Sequence, residues 1–310
     1  MTSTVCTLFE GDYHYGVAAL ANSLFANGYR GEIFAGYKGE LPAWASDAVA
    51  SAAGTLDLRV AAGLNLRFLR IDAHGHLTNL KPYFMIEVWK RHSPEAQALF
   101  YFDPDIVVRC RWSFFEEWIL AGVALCADVN WVMPAGHPIR FAWKKFFGTR
   151  GLLARRELEI YFNGGFIGVH RSNQEFLTLW KQLTDVAAGE IGGLHRTNIG
   201  ERTYLFCKTD QDFLNFAAMA STQEISAVGQ DGMDFQLGGG GYIMSHAAGG
   251  IKPWRKKMVA SSVLHGIGPS RTDHLFFRSL YGPIRPYGAF SLVLKKLDLL
   301  VAAGFARYFN

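Results

Sequence analysis

Two aspartates separated by one residue follow an apolar, aromatic run at residues 98–102. Alternate residues of an extended segment point to the same side, so Asp103 and Asp105 could share one divalent cation, for which carboxylate oxygens are suitable ligands. Pro104 fixes its own backbone torsion φ and stiffens the pair. Asp and Pro are also common in turns at strand ends for backbone reasons alone, so a metal site and a plain turn both remain open.

His246 opens a second segment with chemical potential, which continues as Ala-Ala-Gly-Gly-Ile-Lys-Pro-Trp. An imidazole can complete a cation site begun by two carboxylates, and Lys252 offers a positive charge for a phosphate. Glycines such as Gly249 let backbone amides approach an anion closely. The alternative is a histidine whose hydrogen bonds are satisfied beside a surface loop.

Two further polar segments interrupt apolar stretches. Residues 163–165, Asn-Gly-Gly, indicate a bulge or a ligand close to the backbone, and the asparagine could bond a polyol. A hairpin turn is the alternative for this segment. Residues 210–215 read Asp-Gln-Asp-Phe-Leu-Asn and begin a predicted helix, where the first carboxylate could simply cap the helix.

Strands and helices alternate along most of the chain. Apolar runs predict strands at residues 4–9, 32–35, 66–71, 98–102 and 123–127 and a strand pair around 159–169. Helical spacing predicts helices at residues 17–25, 43–53, 81–90, 114–120, 174–186, 211–220 and 291–309, with an irregular stretch after Trp254. The alternation predicts an α/β fold with a mostly parallel sheet flanked by helices. Ligands of such sheets bind beyond the carboxyl ends of the strands, where Asp103 and Asp105 should lie.

The composition excludes several classes of protein. With 310 residues, 50% of them hydrophobic, and 33 glycines, the chain is not disordered, collagen-like or stapled by disulfides. Four isolated cysteines, no signal peptide and no run of about eighteen apolar residues predict a cytoplasmic protein. The glycines at residues 238–241 lack the Lys-Ser or Lys-Thr of a P-loop, which favours a flexible segment or a tight turn.

Positive charge concentrates at the carboxyl end. Residues 251–310 carry ten basic and two acidic residues, a net charge of +8 in a chain whose total is +4, so the first 250 residues sum to −4. A basic end implies an anionic partner, and charge alone does not choose between phosphate, a membrane surface and nucleic acid. Apolar residues recur there at helical spacing, and the helix could lie on an anionic membrane or pack on its own domain: Val293, Leu297, Leu300, Val301 and Phe305. A basic, aromatic stretch at residues 140–156 could hold an anionic or lipid-linked acceptor or form an amphipathic helix.

Taken together, these motifs are more specific than any one of them. Asp-x-Asp, Asn-Gly-Gly, Asp-Gln-Asp-x-x-Asn and His-x-x-Gly-x-x-Lys-Pro-Trp, in this order and at these intervals, resemble the retaining glycosyltransferases of family eight. That family has the GT-A fold and includes bacterial lipopolysaccharide galactosyl- and glucosyltransferases and glycogenin. The resemblance runs from about residue 4 to residue 254. It implies transfer of a sugar from a nucleotide diphosphate donor, usually a UDP-sugar, with retention of the anomeric configuration and with Mn²⁺ or Mg²⁺ holding the diphosphate.

The resemblance also implies roles for individual residues. The implied metal ligands are Asp103, Asp105 and His246. The implied contacts to the diphosphate and the donor sugar are Lys81, Asn163, Gly164, Gly165, Gly249 and Lys252, although for Lys81 a solvated lysine at a helix start is the alternative. Asp210 and Gln211 would lie beside the reacting carbon. Asp12 and Tyr15 are similar to an Asp-x-x-Tyr element that contacts uracil and ribose, but the preceding Phe-Glu-Gly departs from the usual Ala-containing pattern.

These observations predict a GT-A domain over residues 1–260 and a basic tail over residues 261–310 that binds a membrane surface or the acceptor. The expected acceptor is a saccharide or lipid-linked saccharide at the inner membrane face, and no nucleic acid is expected. Retention needs either a covalent intermediate, with Asp210 as nucleophile, or same-face attack, which we favour. One alternative is a sugar nucleotidyltransferase, which would usually carry a glycine-rich basic loop after the first strand. The others are a self-glycosylating protein and a noncatalytic nucleotide-sugar binder.

Overall fold

The structure of the protein is a computed structural model that describes residues 1–229, 231–235 and 240–309. Residues 238 and 239 of the glycine run lie outside the described residues. The chain forms one large sheet covered by helices on both faces, a small second sheet and a helical carboxyl-terminal segment. This arrangement confirms the predicted α/β class.

Within the described residues, nine strands form the large sheet and three form the small one. In chain order the strands are β1 (Ser3–Glu10), β2 (Gly31–Lys38), β3 (Val49–Ala50), β4 (Leu56–Ala61), β5 (Leu64–Arg70), β6 (Ala98–Phe102), β7 (Ile106–Val108), β8 (Val123–Cys126), β9 (Phe166–His170), β10 (Ile225–Val228), β11 (Met233–Asp234) and β12 (Met244–His246). The large sheet has the spatial order β10-β8-β9-β6-β1-β2-β5-β4-β3, and the small sheet has the order β11-β12-β7. Seven of the nine strands run in the same direction, and β9 and β4 run against them.

Helices connect most of these strands. They are α1 (His14–Ala26), α2 (Lys81–Glu87), α3 (Trp112–Trp118), α4 (Pro138–Gly148), α5 (Glu175–Ala187), α6 (Thr209–Ala220), α7 (Met258–His265), α8 (Arg271–Ser279) and α9 (Ala289–Phe309). A π-helical turn, Val88–His92, continues α2. All the helices predicted from the sequence are present except the one at residues 43–53.

The central strands are apolar because helices cover both of their faces. β6 is buried at every position, and β1 is buried at every position except Glu10. Strands buried on both sides appear in the sequence as continuous apolar runs rather than as alternating patterns. The polar residues that follow β1, β6 and β8 therefore lie together at the carboxyl edge of the sheet, beside the start of the opposing strand β9.

The helix predicted for residues 43–53 is wrong. That segment contains a 3-10 turn, Ala43–Ala45, and the short strand β3, which pairs with β4. Trp44 packs on Phe68 and donates a hydrogen bond from its indole N–H to His14. Pairing at the edge of the sheet outweighs the helical spacing of the small apolar residues, because propensity alone is a weak determinant.

The strand pair predicted around residues 159–169 is half wrong. β9 forms, but the preceding residues contribute a single bridge between Phe162 and Ala127. The side chain of Asn215 accepts a hydrogen bond from the Phe162 N–H and donates one to the Phe162 carbonyl, each at 2.8 Å. An α6 side chain thus satisfies backbone groups that a neighbouring strand would otherwise have paired.

The irregular stretch predicted after Trp254 is also wrong, since α7 and α8 form there. A capping box begins α8: Ser270 Oγ accepts from the Asp273 N–H, and the Asp273 carboxylate accepts from the Ser270 N–H. This Ser-x-x-Asp signal is visible in the sequence. Of the basic stretch at residues 140–156, only residues 140–148 lie in the amphipathic helix α4, and residues 149–156 follow it without helical structure. Arg140 is buried and donates to the carbonyls of Met133 and Ile160.

The basic tail packs on the amino-terminal helix. Trp254, Phe276, Phe277 and Leu280 form a small core with Ala19 of α1, and Leu299 and Ala302 of α9 complete it. Asp298 of α9 accepts hydrogen bonds from two backbone N–H groups at the start of α7. The opposite face of α9 is 41 to 63% exposed at all five predicted stripe positions: Val293, Leu297, Leu300, Val301 and Phe305. Within the described residues, no helix is both long and apolar enough to cross a membrane.

Gly16 of α1 lies directly against the turn that carries the two aspartates. A Cβ atom at this position would lie 2.2 Å from the carbonyl oxygen of Pro104, a backbone atom. The absence of a side chain at Gly16 therefore lets α1 support the turn between β6 and β7.

Gly16→Ala tests this contact. Helix propensity alone predicts that alanine stabilises α1 by up to about 1 kcal/mol, whereas the clash predicts a loss of about 2 kcal/mol or more. We expect the loss, measured as the free energy of unfolding in urea. The matched control is Gly136→Ala, because a Cβ at Gly136 would meet no atom within 4 Å. Equal stability of the two variants would contradict the close contact.

Candidate active site

A cavity of about 910 Å³ lies at the carboxyl edge of the large sheet. Its walls include the residues that follow β1, β6 and β8, the segment before β9, the start of α6 and the segment after β12. This is the position expected for a ligand site in an α/β sheet. Eleven of the predicted site residues line it: Lys81, Asp103, Asp105, Asn163, Gly164, Gly165, Asp210, Gln211, His246, Gly249 and Lys252.

The small sheet brings His246 to the two aspartates. β12 pairs antiparallel with β7, and this register sets His246 opposite Ile106, one residue after Asp105. His246 Nε2 lies 3.2 Å from Asp105 Oδ1 and 3.9 Å from Asp103 Oδ2. One ligand atom from each of the three side chains lies within 4.8 Å of the other two. The predicted convergence of these residues is therefore present in the fold.

Two buried lysines hold the remaining oxygens of the aspartates. Lys81 Nζ lies 3.0 Å from Asp103 Oδ1, and it donates hydrogen bonds to Asp210 Oδ2 and to the carbonyl of Gly164, each at 2.8 Å. Lys252 Nζ donates to Asp105 Oδ2 at 2.6 Å and to the carbonyl of residue 247 at 2.7 Å. The alternative of a solvated Lys81 is wrong, because only 2% of its side chain is exposed.

The pKa values of these groups reflect burial and their charged neighbours. Burial lowers the pKa of Lys81, but the carboxylates of Asp103 and Asp210 outweigh it, so the pKa lies above its ordinary value. Burial raises the pKa of Asp105, but His246 and Lys252 outweigh it and hold that pKa below its ordinary value. Both groups are therefore charged at neutral pH.

The geometry and donor chemistry fit a divalent cation. Asp103 Oδ2, Asp105 Oδ1 and His246 Nε2 face one another, while the other carboxylate oxygens contact lysines. Two carboxylate oxygens and one imidazole nitrogen form a donor set that can hold a divalent cation. His246 Nδ1 is buried and has no hydrogen-bond partner among the described residues. Asp103, Asp105 and His246 thus form a possible metal-binding group.

The first turn of α6 clamps the Asn-Gly-Gly segment. Gln211 Oε1 accepts from the Gly164 N–H at 2.9 Å, and Gln211 Nε2 donates to Asp128 Oδ2 at 2.8 Å. Asn163 Nδ2 donates to the same Asp128 oxygen at 3.0 Å, and Asn163 Oδ1 accepts from the Gly165 N–H. The hairpin alternative is wrong, because Phe162 bridges to Ala127 while β9 pairs with β6 and β8, so the two flanks of the segment do not pair with each other. The segment forms the floor of the cavity.

Side chains of the candidate site lie very close to the two glycines of this segment. A Cβ at Gly165 would lie 2.6 Å from His246 Cε1 and 3.0 Å from Asp103 Oδ2. A Cβ at Gly164 would lie 3.0 Å from Asp210 Oδ2. Any larger residue at either position would displace a side chain of the candidate site.

Asp210 forms an ion pair rather than a helix cap. α6 begins at Thr209, and the side chain of its N-cap residue, Lys208, makes no capping hydrogen bond within the described residues. The Asp210 carboxylate contacts Lys81, and burial raises the pKa of Asp210 although Lys81 opposes the shift. The bond to Lys81 connects α6 to α2 across the floor of the cavity.

Two predicted residues lie outside the cavity lining. Asp12 forms an ion pair with Arg255, and Asp12 Oδ2 lies 2.6 Å from the arginine Nε. Tyr15 stacks on Tyr287, with ring centroids 4.5 Å apart. Tyr13, between these two residues, lines the cavity instead, and its ring packs against Trp254.

Sequence reasoning missed several lining residues. Asp128 follows β8 and accepts from both Asn163 and Gln211, so it belongs to the floor. The sequence does contain a signal for Asp128, because it follows the strand predicted at residues 123–127 just as Asp103 follows β6. Trp131, Arg202 and Lys208 also line the cavity, but they lie in loops without a periodic or motif signal.

Comparisons with known proteins agree with the fold. No protein-family model matches the sequence, and no curated protein sequence matches it. Among solved structures the chain is similar to WbbM, a bifunctional glycosyltransferase solved in its apo form, with a match probability of 1.00, a TM-score of 0.58 and 14% sequence identity. The match covers 95% of this chain and 51% of that chain, so this chain spans about half the length of WbbM. The likeness confirms the predicted GT-A-like fold.

Asp212, the second aspartate of the helix motif, is buried beneath the floor. It accepts hydrogen bonds from the Tyr161 hydroxyl at 2.6 Å and from the Lys208 N–H at 2.9 Å. Burial raises its pKa from 3.8 to about 7, with a further contribution from Asp210, while the two hydrogen bonds oppose the shift. Between pH 4 and 7 the folded protein thus keeps a proton that the unfolded chain releases.

Asp212→Asn tests this buried charge. The free energy of unfolding of the parent protein should fall as pH rises through this window, by an amount on the order of 4 kcal/mol, because folding then requires a buried carboxylate. We expect the variant to lack this component, so that its stability relative to the parent increases between pH 4.5 and pH 8 in urea titrations. Asp47→Asn is the exposed control. Parallel pH profiles for Asp212→Asn and the parent would refute the raised pKa.

Proposed function

We propose that the protein transfers a sugar from a nucleotide diphosphate donor, a UDP-sugar, to a saccharide or lipid-linked acceptor. The observation that carries this proposal is the convergence of Asp103, Asp105, His246 and Lys252 in one cavity at the carboxyl edge of the sheet. The GT-A-like fold and the motif order that resembles family eight support it.

The charges of the site suit departure of a nucleoside diphosphate. Asp103, Asp105 and His246 would hold a Mn²⁺ or Mg²⁺ ion, which supplies Lewis-acid stabilisation of the diphosphate. Lys252 lies 2.6 Å from Asp105 and would contact the phosphate on which negative charge develops as the bond to the sugar breaks. Gly249 lines the cavity beside it and leaves room for the anion.

The floor of the cavity would position the donor sugar. Asn163, Gly164 and Gly165 form this floor, and the clamp from Gln211 and Asp128 fixes their orientation. Preorganised groups of this kind stabilise a transition state without reorganising during the reaction.

We favour same-face attack as the route to retention. The Asp210 carboxylate is the candidate nucleophile, but Lys81 donates to its Oδ2 at 2.8 Å. An ion-paired carboxylate is a weaker nucleophile, because bond formation must remove it from its cation. Asp210 and Gln211 would therefore position the donor, and a phosphate oxygen of the leaving group would accept the acceptor proton.

The basic tail is the proposed membrane contact of this unit. We propose that residues 1–260 are the catalytic part and that residues 261–310 flank it, since α8 packs on α1. The exposed apolar face of α9 adjoins a groove shared with α7, which Lys257 also lines, whereas the Lys256 in this lining is ion-paired with Asp273. A surface of this kind fits an anionic bilayer at the inner membrane face. Lys295 turns inward to the carbonyl of Trp254 and would not contribute.

Lys252→Met tests the role of the lysine in donor turnover. We expect the variant to hydrolyse or transfer donor sugar about 10² times more slowly, because a preorganised cation at the leaving group is lost. The assay measures UDP release from a panel of UDP-sugars with Mn²⁺, and chelation of the metal should abolish it. The control Lys257→Met removes an exposed charge nearby.

The same assay separates the alternatives. A sugar nucleotidyltransferase would form or consume pyrophosphate instead of releasing UDP. A self-glycosylating protein would label its own chain when the acceptor is absent, and a noncatalytic binder would retain UDP-sugar intact. If folded Lys252→Met turns over donor as fast as the parent does, the lysine only neutralises Asp105 and the proposed role is wrong.

Vesicle sedimentation tests the membrane contact. The parent should bind vesicles of phosphatidylglycerol at low salt and leave them at high salt. Val293→Ser/Leu297→Ser/Leu300→Ser should weaken binding at least about tenfold, because each exposed side chain contributes on the order of 1 kcal/mol of apolar burial. The control Val49→Ser/Val132→Ser/Leu153→Ser changes three apolar residues that are at least as exposed. Failure of the parent protein to bind these vesicles at low salt would contradict the proposal.

A further inference from the structure

Two cations in the cavity have no role in the donor chemistry described above. Arg202 and Lys208 both line the cavity, and both lie in the segment that precedes α6. Lys81 and Lys252, the other lysine and arginine residues that the structure describes in the lining, each contact carboxylates of the site. For Arg202 and Lys208, no carboxylate oxygen of the described chain lies within 4.0 Å of the side-chain nitrogens.

The sheet order separates these cations from the metal-binding group. Asp103 and Asp105 follow β6, and Tyr13 follows β1 on one side of it. On the other side of β6 the next strand is β9, and β8 lies beyond it. Asp128 follows β8, and Trp131 lies three residues further along the chain. Arg202 contacts Trp131. Arg202 therefore belongs to the β8 side of the cavity. Lys208 directly precedes α6, whose Gln211 donates to Asp128 on the same side. The proposed donor-sugar floor would lie between these cations and the expected diphosphate.

Aromatic and amide side chains hold the two cations in place. The guanidinium carbon of Arg202 lies 4.7 Å from the centroid of the Trp131 ring, and the ring itself stacks on Tyr161. A guanidinium on an aromatic face keeps its in-plane N–H donors available to a ligand. Lys208 Nζ donates to Asn198 Oδ1, and its other two N–H groups remain as donors.

The position of Lys208 relates this pair to the reacting centre. Lys208 comes immediately before α6, and the next turn carries Asp210 and Gln211. Gln211 bonds the floor through Asp128 and Gly164. A molecule held by Arg202 and Lys208 would thus adjoin the donor sugar on the side away from the diphosphate, which is where an acceptor must enter.

We propose that Arg202 and Lys208 form an acceptor subsite for a saccharide that carries an anionic group, a phosphate or a carboxylate. The inference rests on the proposed transferase function and adds the chemical class of the acceptor. Charge-assisted hydrogen bonds from an arginine and a lysine select an anion over a neutral hydroxyl group. The anionic group anchors the acceptor while a hydroxyl of the same saccharide faces the donor.

Sugar binding to the full chain, loaded with UDP and Mn²⁺, tests the subsite. The probes are the 6-phosphates of glucose, galactose and mannose, the corresponding uronates, and the neutral methyl glycosides, titrated by calorimetry. We expect at least one anionic series to bind about tenfold or more tightly than its neutral counterparts, and the two series distinguish phosphate from carboxylate. Arg202→Gln/Lys208→Met should remove this preference and leave UDP binding unchanged.

The control variant is Arg59→Gln/Lys90→Met, which removes the same two charges from exposed positions outside the cavity lining and should retain the preference. Failure of the parent to bind UDP with Mn²⁺ would refute the transferase function itself. If UDP binds but all anionic probes bind no better than neutral ones, only the subsite is refuted. The subsite is likewise refuted if the double variant weakens UDP binding, because the cations then serve the donor.

Discussion

Neutralisation of three neighbouring carboxylates is the constraint on which the site depends. Asp103, Asp105 and Asp210 share one cavity, and their like charges would oppose folding if they were unpaired. Lys81 bridges Asp103 and Asp210, and Lys252 contacts Asp105. Each lysine comes from a different part of the chain, so the same ion pairs that neutralise the carboxylates also connect α2, β6, α6 and the segment after β12.

The backbone around the carboxylates is closely packed. The side chains of His246 and Asp103 lie close to Gly165 because that residue has no Cβ. For the same reason α1 can contact Pro104 at Gly16. The polar face of α6 then replaces a strand partner for Phe162 and supports Gly164. The residues that resemble a catalytic motif therefore also build the site, and substitutions among them will affect stability as well as chemistry.

The GT-A-like fold shared with WbbM at 14% identity shows how little of the sequence the architecture requires. Continuous apolar runs determine the central strands, and their order along the edge determines which loops meet. The chemistry depends on a few residues in those loops, because fold alone does not assign function. The cations Arg202 and Lys208 of the proposed acceptor subsite lie in such a loop, where they would add specificity without altering the scaffold.

Residue types and the resemblance predicted that Asp103, Asp105 and His246 converge, and the long-range pairing of β12 with β7 decided it. The sequence alone determined the α/β class and most elements, because strand periodicity and strand-end position are local properties. It did not determine the partner of a side chain. Only the tertiary structure paired Lys81 with two carboxylates, directed Asp12 to Arg255 and brought Asp128 to the floor. Those outcomes depend on contacts between residues many positions apart, and burial and charge decide such contacts only once the chain is folded.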